Sequence, residues 1–171
     1  MNGKFFNDAI IGNQKITASF SKTGELLRFF YPNNDFKQFF EAFHAGIKVN
    51  DSALIYLHND INNVFDQSYI EETNILKTEI LNTYFNVKIT QTDFVPIKEN
   101  VLVKNYKFEN KSNIDLDINL LFYSKLLSNF NNDTSGFSNE YFKIFSTNFC
   151  ITIFNCSICN VFRWKTTKTN V

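Results

Sequence analysis

Apolar and polar residues alternate one by one along several short stretches of the chain. Alternation of this kind occurs over residues 15–20, 84–94 and 114–120. A period of two places successive side chains on opposite faces of a β-strand, so each stretch is predicted to be a strand with one buried face. Phe20, Phe85 and Ile89 fall on the apolar faces, and we predict that all three are buried.

Turn-forming residues separate the predicted strands into hairpins. Gly24 lies between residues 15–20 and a second strand-like stretch at residues 26–31, and Gly can adopt the positive φ that a tight connection requires. Residues 50–52 separate another pair of stretches, which predicts a second hairpin. Further strands are predicted over residues 75–81 and 101–108.

Phenylalanines at positions 36, 39, 40 and 43 follow the spacing of one helix face. Asn34 and Asp35 precede them and could cap a helix, so a short helix is one interpretation. A loop packed by phenylalanine side chains is the other. With short strands and turns elsewhere, the predicted fold class is mainly β: a two-sheet antiparallel β-sandwich of the supersandwich kind, with at most one short helix.

The character of the chain changes near residue 129. Residues 1–128 are predicted to form the sandwich domain, whereas residues 129–171 comprise a polar loop and an atypical tail that contains Cys150, Cys156 and Cys159. Two interpretations of the tail stay open. Either it is a buried final strand pair, or its reading frame has departed from the ancestral one and ended early.

Charge and composition exclude several classes of function. The 17 basic residues balance the 17 acidic ones and form no basic run, which disfavours nucleic-acid binding. The start lacks the apolar core of a signal peptide, and no later stretch approaches membrane-spanning length. We therefore expect a soluble, cytoplasmic protein that does not associate with membranes.

Candidate chemical groups are few, and each has a simpler structural explanation. Asp115 and Asp117 would lie about 7 Å apart on one strand face, near the spacing of inverting glycosidases, but polar alternation explains both as a solvated face. His44 and His58, even with Asp60, lack further ligands at a recognisable metal spacing.

Three cysteines with a single Cys-x-x-Cys pair are similarly weak evidence for zinc or redox chemistry. We therefore assign no catalytic, cofactor-binding or metal-binding residue, and we expect no cofactor.

Several segments together resemble a known family. Residues 10–20, followed by Gly24-Glu25-Leu26 and Phe30-Tyr31-Pro32, resemble the opening of bacterial glucoamylase-like proteins of glycoside hydrolase family 15. Gln14 departs from the second glycine of that family's Gly-Asn-Gly turn. The resemblance continues to about residue 128 through residues 44–57, 69–78, 90–95 and 101–104.

The resemblance implies an N-terminal, non-catalytic sandwich that packs against a catalytic six-fold α/α barrel. In the family, paired glutamates of that barrel hydrolyse α-glucosidic bonds with inversion, which places the expected role in carbohydrate metabolism and makes α-glucans possible ligands. No part of these 171 residues resembles the barrel, so the chain alone is expected to be inactive. The alternative is a free-standing carbohydrate-binding or protein-interaction module.

Overall fold

The architecture consists of antiparallel strands. The computed structural model describes residues 7–31, 40–126 and 159–166, which form eleven strands and no helix. The strands are β1 (Ala9–Gly12), β2 (Thr17–Phe20), β3 (Leu26–Phe30), β4 (Phe40–Val49), β5 (Ile55–Tyr56), β6 (Asn63–Tyr69), β7 (Ile75–Asn82), β8 (Val87–Phe94), β9 (Val103–Asn110), β10 (Leu116–Leu126) and β11 (Cys159–Thr166). Within the described residues, the predicted mainly-β class is confirmed.

The strands pair into three sheets, one more than the two expected. Their orders are β1-β2-β3, β11-β10-β4-β5 and β6-β7-β8-β9. The first sheet is separate because β1, β2 and β3 pair only with one another among the described strands. The domain boundary at residue 128 stays a prediction, although β11 from the second segment pairs with β10 over eight residues.

Both predicted hairpins are present. Gly24 has a φ of 78° in the turn between β2 and β3, and Asn50 has a φ of 51° in the connection from β4 to β5. The proposed helix is wrong at its C-terminal end, because Phe40 and Phe43 lie in β4, where the ladder to β10 satisfies the backbone. The other two phenylalanines of that pattern lie outside the described residues.

One hydrophobic core joins side chains from all three sheets. Phe20 of β2, Ile47 of β4 and Ile89 of β8 are fully buried within it. Phe85 was predicted to be buried but is half-buried against the core. The difference arises because β8 begins at Val87, which leaves Phe85 in the turn that precedes the strand.

Two side chains from the β6–β7 hairpin cover the outer edge of β1. The Tyr69 hydroxyl accepts a hydrogen bond from Ile10 N and donates one to Ile10 O, both at 2.8 Å. Asn74 Nδ2 donates to Gly12 O at 2.6 Å. These side chains occupy backbone groups that a neighbouring strand would otherwise use.

The described residues include no helix with the length and apolar character needed to cross a membrane.

Candidate functional site

A buried ion pair lies on the inner face of the β6-β7-β8-β9 sheet. Asp93 of β8 and Lys104 of β9 are cross-strand partners, and Lys104 Nζ lies 2.5 Å from Asp93 Oδ1. Gln91 Nε2 donates to Asp93 Oδ2 at 2.6 Å and to Gly24 O at 2.9 Å. Both carboxylate oxygens therefore have partners, as buried charge requires.

Burial dominates the electrostatics of this pair. It raises the pKa of Asp93, against the opposing effects of Lys104 and Gln91, and it lowers the pKa of Lys104, against the opposing effect of Asp93. The nearby Tyr106 has a pKa raised well above its usual value, by burial first and by Asp93 second. Asp93 is enclosed and bonded on both oxygens, so it is poorly placed to exchange protons with a substrate.

A small space lies beside the ion pair. It is partly open to solvent and is bounded by buried Lys104 and Tyr106 and by the less buried Glu25 and His58. Lys104 Nζ also lies 4.8 Å from the centre of the Phe20 ring, which provides a favourable cation–π contact.

Glu25, His44 and His58 form a cluster, and two of its members, Glu25 and His58, border this space. Glu25 Oε1 lies 3.4 Å from His44 Nδ1 and 3.8 Å from His58 Nε2. One potential ligand atom from each residue lies within 4.8 Å of the other two. The two imidazole rings stack with their centres 4.7 Å apart. A carboxylate and two imidazoles are a donor set that binds divalent transition metals.

Local structure holds the three residues of this cluster in place. Glu25 ends the tight turn after β2, where Ser21 N donates to Glu25 O at 2.9 Å and Ser21 Oγ accepts from Glu25 N at 3.2 Å. His44 lies within β4, paired with Tyr123 of β10. His58 directly follows Leu57, whose N–H donates to Ala45 O at 2.9 Å and so continues the β4–β5 ladder.

The structure separates the other candidate residues from this cluster. Asp60 Oδ1 accepts from Asn62 N at 2.9 Å in a turn and is not one of the grouped ligands. Asp115 is exposed and precedes β10, whereas Asp117 is half-buried within β10. Neither aspartate lines the space beside Lys104.

Of the cysteines considered for metal binding, Cys159 begins β11, and the other two lie outside the described residues.

Sequence reasoning considered the two histidines as metal ligands and favoured a structural role for them, and it missed Glu25. The turn that carries Glu25 is distant in sequence from both histidines, and no local spacing connects the three residues. The predicted β2–β3 and β4–β5 hairpins contained Glu25 and His44, and His58 directly follows the second hairpin, but the packing of one hairpin against the other was not predicted. Charged side chains beside a β-turn are common, so Glu25 alone carried no distinctive signal.

Comparison with known proteins gives one informative relative. No protein-family model matches the chain, and no solved structure matches it significantly. The chain is 34% identical over 117 residues to an uncharacterized glycosyl hydrolase of Methanocaldococcus jannaschii. The match covers 68% of this chain but spans only 18% of the relative's length. Most of this chain is therefore related to a short part of a protein named as a glycosyl hydrolase.

Proposed function

We propose that this chain is the non-catalytic N-terminal sandwich segment of a glucoamylase-like glycoside hydrolase of family 15, and that it packs against a catalytic α/α barrel. The observation that carries the proposal is the match of 117 residues to 18% of a glycosyl hydrolase. The greater part of that relative lies outside the match and has room for a separate catalytic domain. The described residues form strands and no helix, which supports the assignment of this segment as a β-sandwich.

The arrangement of carboxylates supports a non-catalytic role. Inverting hydrolysis needs two carboxyl groups on opposite sides of a bound sugar, one protonated and one ionised. Asp93 is enclosed by Lys104 and Gln91, and Glu25 lies against two histidines. Asp115 and Asp117 do not border the space beside Lys104. No two of these four carboxylates therefore face each other across that space.

An apolar surface on β4, β5, β10 and the β4–β5 connection is the proposed contact with the barrel. We call this surface the tyrosine face and define it as Leu54, Tyr56, Tyr123 and His44. Leu54 and the two tyrosines are exposed. The centre of the His44 ring lies 5.7 Å from that of Tyr56 and 6.0 Å from that of Tyr123, so His44 contacts both tyrosine rings. A Cβ at Gly46 would lie 2.9 Å from Leu54 Cδ1, and glycine therefore lets Leu54 lie close to β4.

The test uses the chain together with the part of the M. jannaschii relative that lies outside the match. We expect the two polypeptides to copurify and the complex to release glucose from maltotetraose, while the chain alone releases none. Tyr56→Ser should weaken the complex about tenfold, because truncating a buried interface aromatic costs about 1–2 kcal/mol. Tyr84→Ser is the matched control, since Tyr84 is exposed in the β7–β8 turn of another sheet.

Two results would contradict the proposal. Glucose release by the purified chain alone, lost in Asp115→Asn or Asp117→Asn, would show catalytic carboxylates in this chain. Equal complex formation by Tyr56→Ser and wild type would remove the tyrosine face from the interface.

A free-standing carbohydrate-binding module is the second candidate. The specific observation in its favour is that Tyr56 and Tyr123 are exposed on one face, since tyrosine can stack on the apolar side of a sugar ring. Calorimetric titration of the chain with maltotetraose separates the candidates. Saturable binding that Tyr56→Ser abolishes, together with no complex with the barrel, would favour the module.

A further inference from the structure

We propose that Glu25, His44 and His58 form a binding site for a divalent transition-metal ion, with Zn²⁺ as the test metal. Zinc bonds of about 2.0–2.1 Å in tetrahedral directions place ligand atoms roughly 3.3 Å apart. Glu25 Oε1 lies 3.4 Å from His44 Nδ1 and 3.8 Å from His58 Nε2, and one ligand atom from each of the three residues lies within 4.8 Å of the other two, so side-chain movements would bring them to coordination distance.

The donor atoms select the class of metal. Two imidazole nitrogens and one carboxylate oxygen suit zinc and its neighbours in the first transition row, whereas Ca²⁺ and Mg²⁺ prefer all-oxygen sites. Three protein ligands leave a fourth tetrahedral position for water or another donor. The side chains of Glu25 and His58 are 13% exposed and that of His44 is 23% exposed, which gives an ion a route from solvent.

The backbone around each ligand is already fixed. Glu25 is held by its two hydrogen bonds to Ser21, His44 by the β4–β10 ladder, and His58 by the bond from Leu57 N to Ala45 O. Asn63 Nδ2 also donates to Leu57 O at 2.9 Å, beside His58. Because binding then orders little more than three side chains, most of the coordination free energy contributes to affinity.

The first experiment is calorimetric titration with zinc chloride. The full chain carries Cys150→Ser, Cys156→Ser and Cys159→Ser, so that thiolates cannot bind the metal. We expect one zinc per chain. Glu25→Gln, which preserves side-chain size, should raise the Kd for zinc at least tenfold. Substituting a residue that only hydrogen-bonds to a metal ligand already lowers metal affinity by about 10–100-fold, and Glu25 is proposed as a ligand itself. Glu71→Gln is the matched control, since Glu71 is exposed on the β6–β7 turn, and it should leave the Kd unchanged.

The second experiment uses NMR of the imidazole nitrogens and leaves the proposed ligands unsubstituted. The chain contains two histidines, so two sets of imidazole nitrogen resonances are expected. One equivalent of zinc should shift nitrogen resonances of both His44 and His58. The proposal is overturned if zinc does not bind, if Glu25→Gln binds as tightly as its parent, or if either histidine is unaffected at saturation.

Discussion

Removing the cation from the buried Asp93–Lys104 pair should strongly destabilise the fold. In Lys104→Met, the apolar side chain leaves the Asp93 carboxylate buried without its charged partner. Breaking one side of a buried ion pair costs about 3–5 kcal/mol. For a chain of this size, each kcal/mol lowers the Tm by about 2–4 °C, so we expect a decrease of roughly 6–20 °C. Urea unfolding followed by circular dichroism measures the free energy directly.

The matched control is Lys107→Met on the same strand. Lys107 is exposed and forms a surface ion pair with Glu109 at 3.3 Å, so its loss should cost less than about 1 kcal/mol. The double variant Asp93→Asn with Lys104→Met removes both charges and keeps an amide oxygen for Gln91 Nε2. We expect it to recover much of the stability that Lys104→Met loses, because no buried charge remains unpaired.

The pH dependence has a defined sign. The pKa of Asp93 is raised above 3.8 in the folded state, so its contribution to stability falls as pH rises from about 4 through the folded-state pKa. The pKa of Lys104 is lowered below 10.5, so its contribution rises as pH climbs through that lowered value toward 10.5. Relative to the double variant, the wild-type chain should therefore be more stable near pH 4 than near pH 7.

Two outcomes would contradict the predicted dependence of buried Asp93 on Lys104. A cost for Lys104→Met no larger than that for Lys107→Met would mean that Asp93 does not need its partner. If the double variant lost as much free energy of unfolding as Asp93→Asn and Lys104→Met lose together, the two charges would act independently.

Three further predictions test other parts of the fold. Gly24→Ala should cost about 1–2 kcal/mol in urea unfolding, because Gly24 has a φ of 78°, where a Cβ is strained; no loss would mean that the turn can change its conformation. Phe20→Ala should cost about 3–5 kcal/mol, whereas Phe85→Ala should cost less because Phe85 is half-buried; equal costs would contradict the burial described here. Lys88→Met should raise the pKa of Glu79 in an NMR titration, because the hydrogen bond from Lys88 is the largest cause of its lowered pKa. The same substitution should change the free energy of unfolding by less than about 1 kcal/mol. An unchanged Glu79 pKa would show that the contact does not persist in solution.

Local patterns predicted most of the strands. The alternation of β8 appears directly in its burial, since every second residue from Val87 to Asp93 is buried. Gly24 marked a real turn because few other residues tolerate its positive φ. β6 was missed because it lies at the edge of its sheet, where Val64 and Tyr69 stay exposed and leave no clear apolar face.

Long-range contacts were beyond the reach of these patterns. The alternation of β8 places Gln91 and Asp93 on the same face as Ile89, but only pairing with β9 brings Lys104 to Asp93. Glu25 meets His44 and His58 because two separate hairpins pack together. Periodicity describes how a strand divides its faces and carries no information about which distant element covers each face.

The hydroxyl of Tyr69 affects how this chain behaves beside other copies of itself. An open strand edge can recruit a strand from another molecule, which is one route to aggregation. By bonding both the N–H and the carbonyl of Ile10, Tyr69 blocks that route at β1. A phenylalanine at position 69 would keep the ring and open the edge, so the cost of losing this one oxygen should depend on protein concentration as well as on folding.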